Sequence, residues 1–156
     1  LILFSKTFVL GQALGVNVDV LTPKALPDSF RDQVLKESIP DKQRLIDYLK
    51  HILEAINRIQ HYVEDIDEPS FLTNELIQDA VIRNLEIIGE ASRNIGRHYP
   101  EYEEQHASVP FSIAYEMRNA LAHGYFNVDL EVVWKTIERD LPELEVMIES
   151  LLKQEL

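Results

Sequence analysis

DKQRLIDYLKHILEAINRIQHYVEDI, Asp41 to Ile66, decides how the chain is to be read. Leu45, Leu49, Ile52, Ile56, Ile59, Val63 and Ile66 recur at intervals that alternate four and three. An α-helix turns about 100° per residue, so this spacing lines one face over several turns and predicts a long amphipathic helix with one buried stripe. DIDEPS, residues 65–70, then breaks it.

The same period continues toward the C-terminus. Leu76, Ile77, Ala80, Val81, Ile87, Ile88, Ala91 and Ile95 predict a second helix from about Thr73 to Arg97, with a wider stripe suited to burial between neighbours. Tyr99-Pro100 ends it. A third, shorter helix is expected to start near Pro110, where proline suits a first turn, and to run through Ile113, Ala114, Met117 and Leu121. Gly124 is expected to close it in the left-handed conformation. Asp129 is the expected N-cap of a last helix carrying Val132, Val133, Ile137, Leu141, Leu144, Ile148 and Leu152, kinked at Pro142. Four helices with short connections predict an all-α fold, an antiparallel four-helix bundle, over residues 41–156.

Residues 1–40 differ in character. Gly11, Gly15, Pro23, Pro27 and Pro40 punctuate them, NVDVLTP reads as a short strand, and PDSFRDQVLKES reads as a short helix. They form an expected α/β appendage, partly ordered at best, because a strand outside a sheet leaves its edges unpaired.

Net charge is −12, and residues 1–40 carry four basic and four acidic side chains, so the whole excess lies in residues 41–156. Such acidity opposes broad attachment to a phosphate backbone, and nucleic-acid chemistry would need a local patch. There is no cysteine, which removes disulfides, thiolate metal sites and a cysteine nucleophile. No apolar run approaches the roughly 20 residues of a membrane helix, and LILFSKTFVLGQAL lacks the order of a signal peptide. The expected setting is soluble and cytoplasmic.

Chemistry concentrates in RNALAHGY, Arg118 to Tyr125. On a continuous helix five residues turn about 500°, so Arg118 and His123 point about 140° apart. Either the helix ends at His123 and redirects the imidazole, or a second subunit supplies its own copy across a two-fold axis. A histidine and a permanent guanidinium suffice to cleave RNA without a metal: the imidazole moves the proton of a ribose 2′-hydroxyl or of the leaving 5′-oxygen, and the arginine stabilises charge on the phosphorus oxygens. Asn119 and Tyr125 are candidates to bond phosphate or orient the imidazole. The alternative is structural, with His123 answering helix carbonyls and Arg118 pairing with an acid such as Glu116.

Residues 42–153 resemble the HepT family of HEPN-domain toxins through IQDAVIRNLEIIGEA, MRNALAHGYF and VDLEVVWKTIERDLPEL, with the R-x-x-x-x-H-x-Y motif complete. The resemblance implies a HEPN bundle, a homodimer, no cofactor, and metal-independent endoribonuclease activity with Arg118 and His123 in a cleft at the dimer interface. It implies an MntA-type nucleotidyltransferase antitoxin as partner, adenylylation of Tyr125 by that partner, and RNA, transfer RNA among the common targets, as substrate. A bulky anionic nucleotide at Tyr125 would fill the cleft and repel phosphate. LGVNVDVLTPKALPDSFRDQVLKESIP, within residues 1–40, is similar to the last strand and helix of an MntA-type nucleotidyltransferase, with Asp19 at the place of its third carboxylate. The glycine-serine turn and D-x-D pair of such enzymes are absent, so this segment does not transfer nucleotide alone.

Other side chains carry weaker signals. Arg83 and Arg97 are candidates for RNA phosphate contacts. Glu86 and Glu90, four apart, could line a polar pocket with Arg83, Arg93 and Arg97, and two carboxylates alone read as a solvated or salt-bridged face rather than a metal site. His51, His61, His98 and His106 show no zinc spacing and read as surface residues, and Trp134 reads as packing. A second class of function stands beside the nuclease: a non-catalytic helical dimer that docks a nucleotidyltransferase.

Overall fold

The computed structural model describes residues 41–124 and 127–156; of these 86% are helical, and no strand occurs among them. The expected strand and helix of residues 1–40, Asp19 included, and the side chain of Tyr125 lie outside the described residues.

Helix α1, Asp41–Val63, has the expected length, and Leu45, Ile46, Leu49, Ile52, Ala55, Ile56 and Ile59 are its buried residues. Leu49, Ile52, Ile56 and Ile59 are completely covered. Each such side chain contributes about 1.5–3 kcal/mol of burial, so the stripe fixes which face turns inward. Beyond Val63 the chain turns, and α2, Glu68–Thr73, follows directly. The Asp67 carboxylate caps α2 by accepting from the Ser70 amide at 3.0 Å. Hydrogen bonding from Ser70 lowers the Asp67 pKa, so this cap is retained above the ordinary carboxylate range and lost as pH falls through the lowered value.

Helix α2 is an addition to the expected fold, in which DIDEPS is only a break. Its function is packing: Phe71 is completely buried, with its ring centroid 5.3 Å from that of Trp134. Asn74 then starts α3, Glu75–His98, by accepting from the Ile77 amide at 3.2 Å. The buried Gln78 amide donates to the Phe71 carbonyl at 2.8 Å, tying α2 to α3.

Helix α3 is the central element, packed against α1 on one side and against α5, Phe111–His123, on the other. That position explains its wide apolar stripe. Between them lies a second unanticipated helix, α4, Pro100–Gln105, begun by the proline that the sequence reading took as a stop. The chain closes with α6, Leu130–Lys135, a π-helical turn at Thr136–Asp140, and α7, Leu141–Glu155. Lys42 meets Glu155 at 3.7 Å and Gln60 donates to Glu145 at 2.7 Å, so α1 and α7 run antiparallel. Buried Trp134 confirms its packing role.

Two local expectations are corrected. Gly124 has φ −101° and ψ 23°, not the left-handed conformation. Its amide donates to the Ala120 carbonyl at 2.9 Å, and a Cβ there would lie 2.7 Å from that oxygen. A close approach, rather than a positive φ, calls for the glycine. Pro142 does not stand inside a single last α-helix. Just upstream a π-helical turn separates α6 from α7 and leaves proline in the first turn of α7.

Asp129 caps α6 as expected, accepting from the Glu131 and Val132 amides at 3.1 and 3.2 Å. Asp129→Ala is expected to cost about 1 kcal/mol, read as a lower urea midpoint at unchanged slope. No helix among the described residues is long and apolar enough to cross a membrane.

Candidate active site

Arg118 stands where α5 crosses α3. Gly89 of α3 presents bare backbone to α5, and an added Cβ there would collide with Arg118 Cβ and lie 2.7 Å from the Ala114 carbonyl oxygen. The missing side chain lets the two helices approach at the level of the guanidinium.

Two contacts orient that guanidinium. Arg118 Nη1 donates to Asn119 Oδ1 at 3.0 Å, and Nη2 lies 3.5 Å from Glu90 Oε2. The structural alternative expects an acid such as Glu116 beside Arg118; the acid there is Glu90, on the neighbouring helix. Glu90 Oε2 is shielded from solvent and has no hydrogen-bond partner, so the contact is ionic rather than a formed hydrogen bond. Glu90 also faces Arg93 at 3.8 Å, and Arg93 lies over the Tyr115 ring at 5.4 Å. Guanidinium carries five donors, and two orienting contacts leave the rest free for an anion.

The side chain opens onto a cleft of about 290 Å³. Tyr48 and His51 come from α1, Arg83, Glu86 and Glu90 from α3, and Arg118 from α5. Arg83 is 72% exposed and lies 3.4 Å from Glu86. Each carboxylate of the Glu86–Glu90 pair therefore has an arginine beside it, as expected of a salt-bridged pocket. Arg97 is brought elsewhere: fourteen residues beyond Arg83 on α3, it lies about 21 Å farther along the axis.

His123 occupies the exposed last turn of α5. Because the helix runs unbroken from Arg118, the pair keeps the angle of about 140°, and one chain does not set both groups on one face. Among the other histidines, His51, His61 and His98 are exposed as expected. His106 is not a free surface residue: it is half-buried, with Nδ1 2.9 Å from the Tyr102 carbonyl oxygen and its ring 4.3 Å from the Tyr102 ring.

His51 is the residue that sequence reasoning passed over. It is exposed, yet it lines the Arg118 cleft. The available signal was its position three residues after Tyr48 on the flank of the α1 stripe, and that acquires meaning only when α3 and α5 are set beside it.

Comparison with known proteins bears on the whole bundle. The family model described as Ribonuclease HepT-like matches residues 52–151. The chain belongs to the HepT-like ribonuclease family. The match begins inside α1 and ends inside α7, so it contains both Arg118 and His123.

Among HepT-like relatives, “Probable ribonuclease HepT” of Thermococcus cleftensis is 43% identical over 107 residues, covering 69% of this chain and 94% of that one. “Gamma-glutamylcyclotransferase and putative RNase MJ0434” of Methanocaldococcus jannaschii is 40% identical over 107 residues. There the match covers 69% of this chain and 47%, about half, of that longer protein. “Putative RNase TTE0752” of Caldanaerobacter subterraneus subsp. tengcongensis is 36% identical over 108 residues, covering 69% of this chain and 94% of the relative. No solved structure matches the chain significantly.

Proposed function

We propose that this HepT-like chain is a metal-independent endoribonuclease, the toxin of a toxin–antitoxin pair, with Arg118 and His123 as its catalytic residues. The observation that carries this reading is the placing of Arg118: a guanidinium oriented by Asn119 and Glu90 at a cleft wall, with donors to spare, on the helix that ends at His123. Membership of a ribonuclease family supports RNA as the substrate.

In this mechanism the imidazole of His123 removes the proton of a ribose 2′-hydroxyl. The 2′-oxygen attacks phosphorus, the bond to the 5′-oxygen breaks, and a protonated imidazole gives that oxygen its proton. The products are a 2′,3′-cyclic phosphate and a free 5′-hydroxyl. Arg118 holds the non-bridging oxygens as their charge grows. Since Arg118 and His123 diverge along α5, the reading requires a homodimer in which α5 of a second subunit brings the partner group across a two-fold axis. Asn119 supports Arg118, and Arg83 and Arg97 contact RNA phosphates at successive points. Tyr125, two residues after His123, is adenylylated by an MntA-type nucleotidyltransferase, which silences the enzyme in the cytoplasm where its target, transfer RNA, resides.

Incubating transfer RNA with purified protein in excess EDTA tests the core of this reading. Wild type is expected to cleave, and His123→Ala to lose about 10²–10⁴-fold in rate, the usual contribution of a positioned acid–base group. Should wild type fail to cut while its intact mass shows no added nucleotide, the chain is a helical module that docks a nucleotidyltransferase instead.

A further inference from the structure

The Arg118 cleft holds as many negative as positive fixed charges. Arg83 and Arg118 stand against Glu86 and Glu90, at 3.4 and 3.5 Å. A phosphodiester entering this space meets a wall whose formal charge is zero, on a chain whose net charge is −12. A further donor of the lining is His51, supplied by α1, whereas the arginines come from α3 and α5.

We propose that His51 is a further RNA-binding residue of this cleft, contacting the phosphodiester from the same chain as Arg118. The proposal rests on the ribonuclease reading and adds to it a group that lies outside the Arg118–His123 motif. Its imidazole N–H is a donor to a phosphate oxygen beside the guanidinium groups of Arg83 and Arg118. Asp47 and Glu54 flank His51 on α1, four residues before and three after, while Arg83, Glu86 and Glu90 face the cleft from α3 and Arg118 from α5. His51 is exposed in the interior of α1 and is not one of its buried residues, so changes there leave the core of α1 untouched.

The test measures affinity for fluorescently labelled transfer RNA in the His123→Ala background, where the RNA stays intact. His51→Ala is expected to bind about tenfold more weakly than the parent, and His51→Arg at least as tightly as the parent, because the first removes the donor to phosphate and the second replaces it with a permanent cationic one. If His51→Ala keeps the parent's affinity while wild type cleaves RNA, the assignment of His51 is overturned and the ribonuclease reading stands. If wild type neither binds nor cleaves the RNA, the ribonuclease reading falls and takes this one with it.

Discussion

Arg118→Ala is expected to lower the rate of RNA cleavage about 10²–10³-fold, the usual cost of deleting one preorganised donor to a developing oxyanion. The fold should survive, because the Arg118 side chain is 30% exposed and its partners are a neighbouring Asn119 and a half-exposed Glu90 rather than core atoms. Arg118→Lys should recover little. An ammonium is a point charge and does not reproduce a planar fork held on one edge by Asn119 and on another by Glu90. Steady-state rates on transfer RNA, with thermal melting as the control for folding, decide it. A rate for Arg118→Ala within threefold of wild type, roughly 0.7 kcal/mol in barrier, would remove the arginine from the chemistry.

Gly89→Ala carries the second large effect, and it reaches the site through packing. Alanine in a helix interior normally gains about 1 kcal/mol over glycine. At this position the added methyl meets Arg118 Cβ and the Ala114 carbonyl, and the latter is backbone with no rotamer to yield. Overpacking of this kind costs about 1–3 kcal/mol, so the net change is expected to be destabilising. What relaxation does occur separates α5 from α3 and carries Arg118 away from Glu90. A displacement of about 1 Å at a catalytic group costs on the order of 10²-fold in rate, so activity should fall by more than stability suggests. Urea unfolding and cleavage rates measured on the same preparation separate the two losses. Wild-type rates in a stabilised Gly89→Ala protein would mean that the helix crossing does not set the position of Arg118.

The parts of the fold legible in advance were those in which periodicity runs long enough to register. Seven apolar positions from Leu45 to Ile66 settled α1, and all but the last fall within or at the end of the helix observed. The wider stripe of α3 foretold its burial between two neighbours. Helices α2 and α4 escaped because six residues make less than two turns, too few for a repeat, and because Pro69 and Pro100 read as breaks although proline also begins helices. Gly124 was noticed for the right location and the wrong cause, since a one-dimensional pattern does not distinguish positive φ from a tight approach to Ala120. At the site, Arg118 and His123 stood out by chemistry within eight residues of sequence. Glu90 as the partner of Arg118 and His51 as a wall of its cleft depend on three helices meeting, and such cross-helix neighbours leave no trace in local spacing.

The pairing of each cleft arginine with a carboxylate has a consequence for ionic strength. Most RNA-binding surfaces present bare cations, and binding expels the salt ions condensed along the nucleic acid, so affinity collapses as salt rises. In this cleft Glu86 and Glu90 already occupy the role of counterions to Arg83 and Arg118. On the proposed function, a phosphate arriving here exchanges one protein-bound anion for another, while the remaining acidic surface repels the strand at long range and is quieted by added electrolyte. Salt would thus pull in two directions, and the proposed grip on RNA is expected to be tuned less by the ionic content of its surroundings than that of a basic protein.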